Sequence, residues 1–372
     1  MIEQKLYNVF FTLLRSGLWN QAPENDCFPI NENLWEQVYW AACQQTVEGI
    51  IYDGIMQLPE NWLPPRELLI KWTARIDIIE RRNTHMNKVV AELDELFHAN
   101  GISYRLLKGQ GVANCYIRPS HRVCGDVDWY FPSYSDFKKA NKLIASKGIS
   151  ITHCAGFSVS YVWKGVIIDH HKRMFDLHNP LLYGYLNKIQ RRENQKYITL
   201  PVGNREIILS SPLLIHIQVY SHILKHMLSF GIGLRQLCDS ACICSTYSDI
   251  DKALLKKIYC KVGIYRWALM LNGILVKYLG MPPEYSPFSL SDEKADAEWM
   301  IEEIIYSGNF GFFDQRWDSN GEDQSIKRSK ILLQVLHRLL LHVRYVPSES
   351  FWFPVMQVYS HKKKDKNGIS GK

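Results

Sequence analysis

Two aspartates alternate with apolar residues in the run Asp126-Val127-Asp128-Trp129-Tyr130-Phe131, and no other stretch constrains the chain as strongly. Residues two apart on a strand face the same side. Asp126 and Asp128 therefore project together, while Val127 and Trp129 face a packed side. Two carboxylates so placed repel and raise each other's proton affinity. A divalent metal removes the conflict, and magnesium favours carboxylate oxygens combined with substrate phosphates. A third carboxylate on an adjacent strand would complete a two-metal clamp for in-line phosphoryl transfer. Asp169, at the end of the apolar run VIIDHH, is the candidate, and Asp176 in MFDLH is its rival. A D-x-D pair alone is common in solvated loops, so it is the strand context that gives it meaning.

Upstream, the segment SYRLLKG reads as a short strand ending at Gly109, and QGVANCYI as a helix entry. A strand that ends in glycine before a helix lets backbone N–H groups approach a phosphate. Lys108 adds a point charge there, and Arg122 is a second cation candidate. A turn glycine with two surface cations would give the same pattern. The G-x-x-x-x-G-K-[ST] signature is absent, so this is not a P-loop.

The surrounding organisation reads β-α-β-α-β-β. A helix begins near Ser135, and FSVSYVW and GVIIDHH are strands joined by a turn at Gly165. Helical spacing marks the N-terminal region, with Leu6, Phe10 and Leu14 one turn apart. A long helix is expected from Pro65 to about Asn100, where Asn100-Gly101 makes a natural stop. Helical character returns at Ser211-Pro212 and persists. The expectation is an α+β fold with a small mixed sheet. Its parts are an N-terminal helical region at 1–100, the core at 101–180, a C-terminal helical domain at 181–360, and a flexible basic tail at 361–372.

Composition narrows the class. The 372 residues suffice for a real core, and the formal charge is +7. No apolar run approaches the roughly 18 residues needed to span a membrane. The N-terminus reads as an amphipathic helix rather than a signal peptide. The nine cysteines are scattered and read as reduced thiols of a cytoplasmic protein. Positive charge is compatible with an anionic ligand or nucleic acid. No zinc finger, RRM-like motif or recognition helix accompanies it, so nucleic acid is not favoured.

Several histidines and cations remain. His170 and His171 are adjacent on a strand and face opposite sides. His222 and His226 lie one helical turn apart, as do Arg235 and Asp239. Arg235 either pairs with Asp239 within its helix or faces nucleotide phosphates across a cleft. GFFDQRW, from Gly311 to Trp317, lines an acceptor pocket or closes a helical core.

At these residues the chain resembles the nucleotidyltransferase superfamily of polymerase-beta-like enzymes and antibiotic nucleotidyltransferases. More closely, it is similar to the bacterial family called uncharacterised nucleotidyltransferase. The resemblance rests on LLKG (Leu106 to Gly109), DVD (Asp126 to Asp128) and IDHH (Ile168 to His171), and continues through HILKHMLSFGIGLRQLCD from His222 to Asp239. It implies a nucleotidyltransferase core with a carboxylate triad binding two Mg2+ ions. The reaction implied moves a nucleoside monophosphate from an NTP such as ATP to a hydroxyl of a small molecule or protein and releases pyrophosphate. Asp126, Asp128 and Asp169 would be the metal ligands, with Asp169 as base for the acceptor hydroxyl. Gly109 would lie beside the triphosphate, with Lys108, Gln110, Arg122 and Arg235 around it. The superfamily usually has Gly-Ser or Gly-Gly at the phosphate turn, whereas Gln110 follows Gly109 here. That departure motivates an alternative, a catalytically weak nucleotide-binding homologue with a partner-binding role. A nucleic-acid-acting protein is the alternative from another class.

Overall fold

The structure is a computed structural model that describes residues 4–154, 158–290, 297–314, 316 and 324–369. Three helices, α1 (Gln4–Trp19), α2 (Glu32–Gln44) and α3 (Glu48–Ile55), precede the 34-residue α4 (Arg66–Ala99). Pro65 stands at the N-terminal cap of α4, where a missing N–H costs nothing. Gly101, at φ +60°, ends it. Both boundaries agree with the sequence reading. The buried stripe of α4 includes Met86, Val90, Leu93 and Phe97.

That stripe covers one face of a seven-stranded mixed sheet. The chain enters it through β1 (Arg105–Leu107), α5 (Lys108–Ala113), β2 (Asp126–Tyr130) and α6 (Tyr134–Ser146). The Ser133 hydroxyl caps α6 by accepting from the Asp136 N–H at 3.0 Å. There follow β3 (Thr152–His153), β4 (Ser158–Trp163) and β5 (Val166–His171). This is the expected α+β core. The sheet does not stop near residue 180, however. After α7 (Tyr183–Glu193), the hairpin β6 (Tyr197–Val202) and β7 (Arg205–Ser210) joins it, with β7 parallel to β1. The spatial order is β3-β4-β5-β2-β1-β7-β6. Pro201 obscures β6 in the sequence; the strand tolerates it because it lies at the sheet's edge.

Val127, Trp129, Phe131 and Ile168 point into the layer shared with α4 and α6, where Phe97 meets Trp129 edge to face at 5.6 Å. Each such buried side chain contributes roughly 1.5–3 kcal/mol. The alternation leaves Asp126, Asp128 and Tyr130 on the other face. That face looks toward α8 (Pro212–Leu228) and α9 (Leu234–Thr246). Ser211 caps α8 as the Ser-Pro start predicts, accepting from Leu214 N–H at 3.4 Å. Further helices complete the C-terminal part: α10 (Lys252–Val262), α11 (Tyr265–Leu279), α12 (Glu298–Ser307), α13 (Gln324–His342) and α14 (Pro347–Ile369). The last helix carries backbone through the basic segment to Ile369. Residues 370–372 lie outside the described residues, as do the side chains from His361 onward. Among the described residues, no helix is long and apolar enough to cross a membrane.

Candidate active site

The parallel pairing of β2 with β5 sets Asp128 directly beside Asp169. Neighbouring strands run about 4.8 Å apart, so paired side chains on one face are in reach of each other. Asp126 stands one pleat earlier on that face. Together the three carboxylates floor a cleft of about 700 Å³ between the sheet, α8, α9 and the stretch around Phe310.

Asp128 is the most enclosed of the three, at 3% exposed. His171 Nε2 donates to its Oδ1 at 2.6 Å, and Lys108 Nζ sits 3.2 Å from the same oxygen. Burial alone would push the Asp128 carboxyl up, but Lys108 and His171 outweigh it and hold the group well below the usual carboxylate range. Asp126 takes the opposite course. The Asp128 charge, and then burial, lift its pKa to about 6. The pair thus holds a like-charge conflict that Lys108 relieves only in part, as the alternation predicts.

Lys108 reaches Asp128 from a tight turn. Its own φ is +31°, and that of Gly109 is +33°. A Cβ on Gly109 would lie 3.1 Å from the Asp126 carbonyl oxygen, so the turn runs close beneath the carboxylate strand. Gln110 turns away from the cleft. Its side chain is buried, with Nε2 donating to Asn83 Oδ1 at 3.5 Å. Gln110 is absent from the cleft lining, whereas Lys108 and Gly109 belong to it.

The two arginines also part company. Arg122 is buried and its Nε and Nη2 each donate to Asp239 at 2.7 Å, a bidentate pair. Tyr116 donates its hydroxyl to the same carboxylate at 2.6 Å. Asp239 therefore pairs across the fold with Arg122, not within its helix with Arg235. Arg235 donates Nη1 to the Val123 carbonyl at 2.7 Å. Its Nε is buried without a partner among the described residues, and it lines the cleft. Of the two, Arg235 is the one not committed to a carboxylate by a hydrogen bond among the described residues.

Asp176, the rival third carboxylate, is engaged elsewhere. Lys225 Nζ and His222 Nδ1 donate to it at 3.0 and 2.9 Å. Burial and the Lys108 charge lower the His222 pKa to about 4 despite that carboxylate, so the ring is neutral. His170 points away, as the strand alternation requires. It is fully buried, donating Nδ1–H to Asn141 Oδ1 at 2.7 Å and accepting from the Tyr161 hydroxyl at 2.9 Å. His171 alone of that pair faces the carboxylates.

Oxygen and imidazole atoms of Asp128, Asp169 and His171 all lie within 4.8 Å of one another. This oxygen-rich set, beside the destabilised Asp126, fits a hard divalent cation better than a soft one. Sequence reasoning did not single out Arg82, whose Nη2 donates to the Gly125 carbonyl at 3.0 Å at the cleft wall, because nothing marks it on the polar face of α4. Phe312 stands 79% exposed at the rim; it belongs to GFFDQRW, of which Gln315 and Trp317 lie outside the described residues.

Comparison with known proteins adds to this geometry. No curated protein matches the chain significantly. An antigenic nucleotidyltransferase-like protein from Paracoccidioides brasiliensis is similar over 52% of this chain and 92% of its own. The two are 14% identical, and the TM-score of 0.33 is too low to define a shared fold. A family model described as uncharacterised nucleotidyltransferase matches residues 31–279. That span contains both carboxylate strands, the Lys108–Gly109 turn and the two helices that close the cleft. The chain belongs to the uncharacterised nucleotidyltransferase family, and nucleotide transfer is the general chemistry this membership points to.

Proposed function

We propose that the protein transfers a nucleoside monophosphate from a nucleoside triphosphate to a hydroxyl of a small molecule or protein. The acceptor oxygen attacks the α-phosphorus, the bond to the β-phosphate breaks, and pyrophosphate leaves. One observation carries this reading: Asp126, Asp128 and Asp169 share one face of two paired parallel strands at the floor of a large cleft.

Asp126, Asp128 and Asp169, with His171 beside them, would hold magnesium. When bound, the metal would neutralise phosphate charge and lower the pKa of the acceptor hydroxyl. Asp169 accepts the hydroxyl proton. Lys108 brings positive charge to the edge of the carboxylate group, and the turn at Gly109 leaves backbone open to the phosphates. Arg235 lines the cleft from α9 and brings its guanidinium charge to the phosphates.

Magnesium-dependent binding of each of the four NTPs, measured by calorimetry, tests the reading. Parent protein should bind only with metal present, and Asp126→Ala/Asp128→Ala should not bind. A folded parent that binds no NTP with magnesium sinks it.

A second reading has its own support. Asp128 Oδ1 already receives two donors, and Gln110 offers no hydroxyl to the phosphate turn. A catalytically weak homologue would bind triphosphate with metal yet release no pyrophosphate across a broad acceptor screen.

A further inference from the structure

Beyond the C-terminal end of β5 lies a second cavity, of about 400 Å³. It shares no lining residue with the carboxylate cleft. The strap between β5 and α7 separates the two. On one side His171 and Asp176 bond to Asp128 and His222. On the other, Lys172, Arg173 and Phe175 line the second cavity.

Its chemistry is one-sided. Among the described lining residues, Lys172, Arg173 and Arg191 bring three cations and none is a carboxylate. Tyr130, Tyr134 and Tyr183 form part of its walls. Arg173 is already oriented: its guanidinium lies 4.3 Å from the Tyr183 ring centroid, and Nη1 donates to the Tyr183 hydroxyl at 2.9 Å. A cation held in place before the ligand arrives loses little entropy on binding. Planar guanidinium groups suit phosphate oxygens. The volume falls in the range of small-molecule sites, roughly 300–1,000 Å³.

We propose that this cavity binds a phosphorylated, hydroxyl-bearing small molecule. Lys172, Arg173 and Arg191 take the phosphate, while the amides of Asn187 and Asn194 take the hydroxyls. The inference does not rest on the transfer reading, because the two sites share no residue.

The test titrates ribose 5-phosphate, and separately ribose, into the full chain by calorimetry without magnesium. The expected result is saturable binding of ribose 5-phosphate at least tenfold tighter than ribose. Arg191→Glu, on an exposed position of α7, should weaken it at least tenfold. Lys172→Gln should weaken it as well, which guards against a folding failure in one variant. Asp126→Ala/Asp128→Ala should bind like the parent. Absence of saturable binding by a folded parent, equal binding of ribose, or binding that survives both basic-residue changes overturns the proposal. Loss of binding in the aspartate variant alone would overturn the separateness of the site.

Discussion

Lys108 meets Asp128 at 3.2 Å from a backbone with φ +31°, a region that side-chain-bearing residues rarely occupy. Such strain costs on the order of 1–3 kcal/mol and persists only where other contacts hold it. Here the contact is a nearly enclosed ion pair. Removing the ammonium leaves His171 as the hydrogen-bond donor to Asp128 among the described residues, at a loss of about 3–5 kcal/mol. The backbone adds a sign reversal. Lys108→Gly relieves the strain, whereas Lys108→Ala keeps it, so the glycine variant should be the more stable by about 1 kcal/mol. Urea denaturation of both variants checks this. An alanine variant more stable than the glycine variant would show that the turn is not strained.

Asp126 supplies a pH dependence. Its pKa, near 6, lies above the unfolded value, so the folded state binds its proton more tightly than the unfolded chain does. The stability this proton provides is present at low pH and is lost as pH rises through about 6. Asp126→Asn should therefore stabilise the metal-free protein, more at pH 7.5 than at pH 4.5, by on the order of 1–3 kcal/mol at the higher pH. The same change should abolish metal-dependent NTP binding. Denaturant midpoints at the two pH values decide the first part, and calorimetry the second.

The bidentate Arg122–Asp239 pair ties the loop ahead of β2 to α9. Breaking a buried pair leaves one charge uncompensated and costs about 3–5 kcal/mol. Asp239→Ala should show that loss in denaturation. Arg122→Lys should lose more than half of it, because an ammonium cannot reproduce the fork. A lysine variant as stable as the parent would mean that only charge matters there.

His121 joins the same loop to the N-terminal helices, contacting Asp53 at 2.8 Å and Glu80 at 3.1 Å. Burial works against its charge, but the two carboxylates outweigh burial and raise its pKa above the ordinary 6.5. The stability from this proton is complete below the unfolded pKa and declines as pH rises through the raised value. An NMR titration should find the His121 midpoint above 6.5 and a lower one in Glu80→Gln. An unmoved midpoint in that variant would remove Glu80 from the account.

Much of the site could be read along single elements. The alternation of Asp126, Val127, Asp128 and Trp129 fixes which face each occupies, and the strand period needs no knowledge of neighbours. Asp169 was reachable for the same reason, since it closes an apolar strand run. What escaped the sequence lies between elements. Nothing in the sequence relates Arg122 to Asp239, 117 positions later, so two residues that read as a surface cation and a helical ion-pair partner are in fact each other's buried counter-ion. Gln110 reads as a phosphate-turn residue, and only packing against Asn83 shows where its side chain goes. The β6–β7 hairpin was missed because Pro201 argues against a strand until the strand is known to be an edge.

The two borders of the sheet have a consequence for the protein in concentrated solution. One border is β3, where Thr152 and His153 are the ladder residues among those described, and the other is β6, where Pro201 removes a backbone donor. A short edge and a proline-interrupted edge are both poor templates for an incoming strand. Copies of this chain that meet sheet edge to sheet edge find little to zip together, so the core can carry seven strands without inviting fibre-like growth.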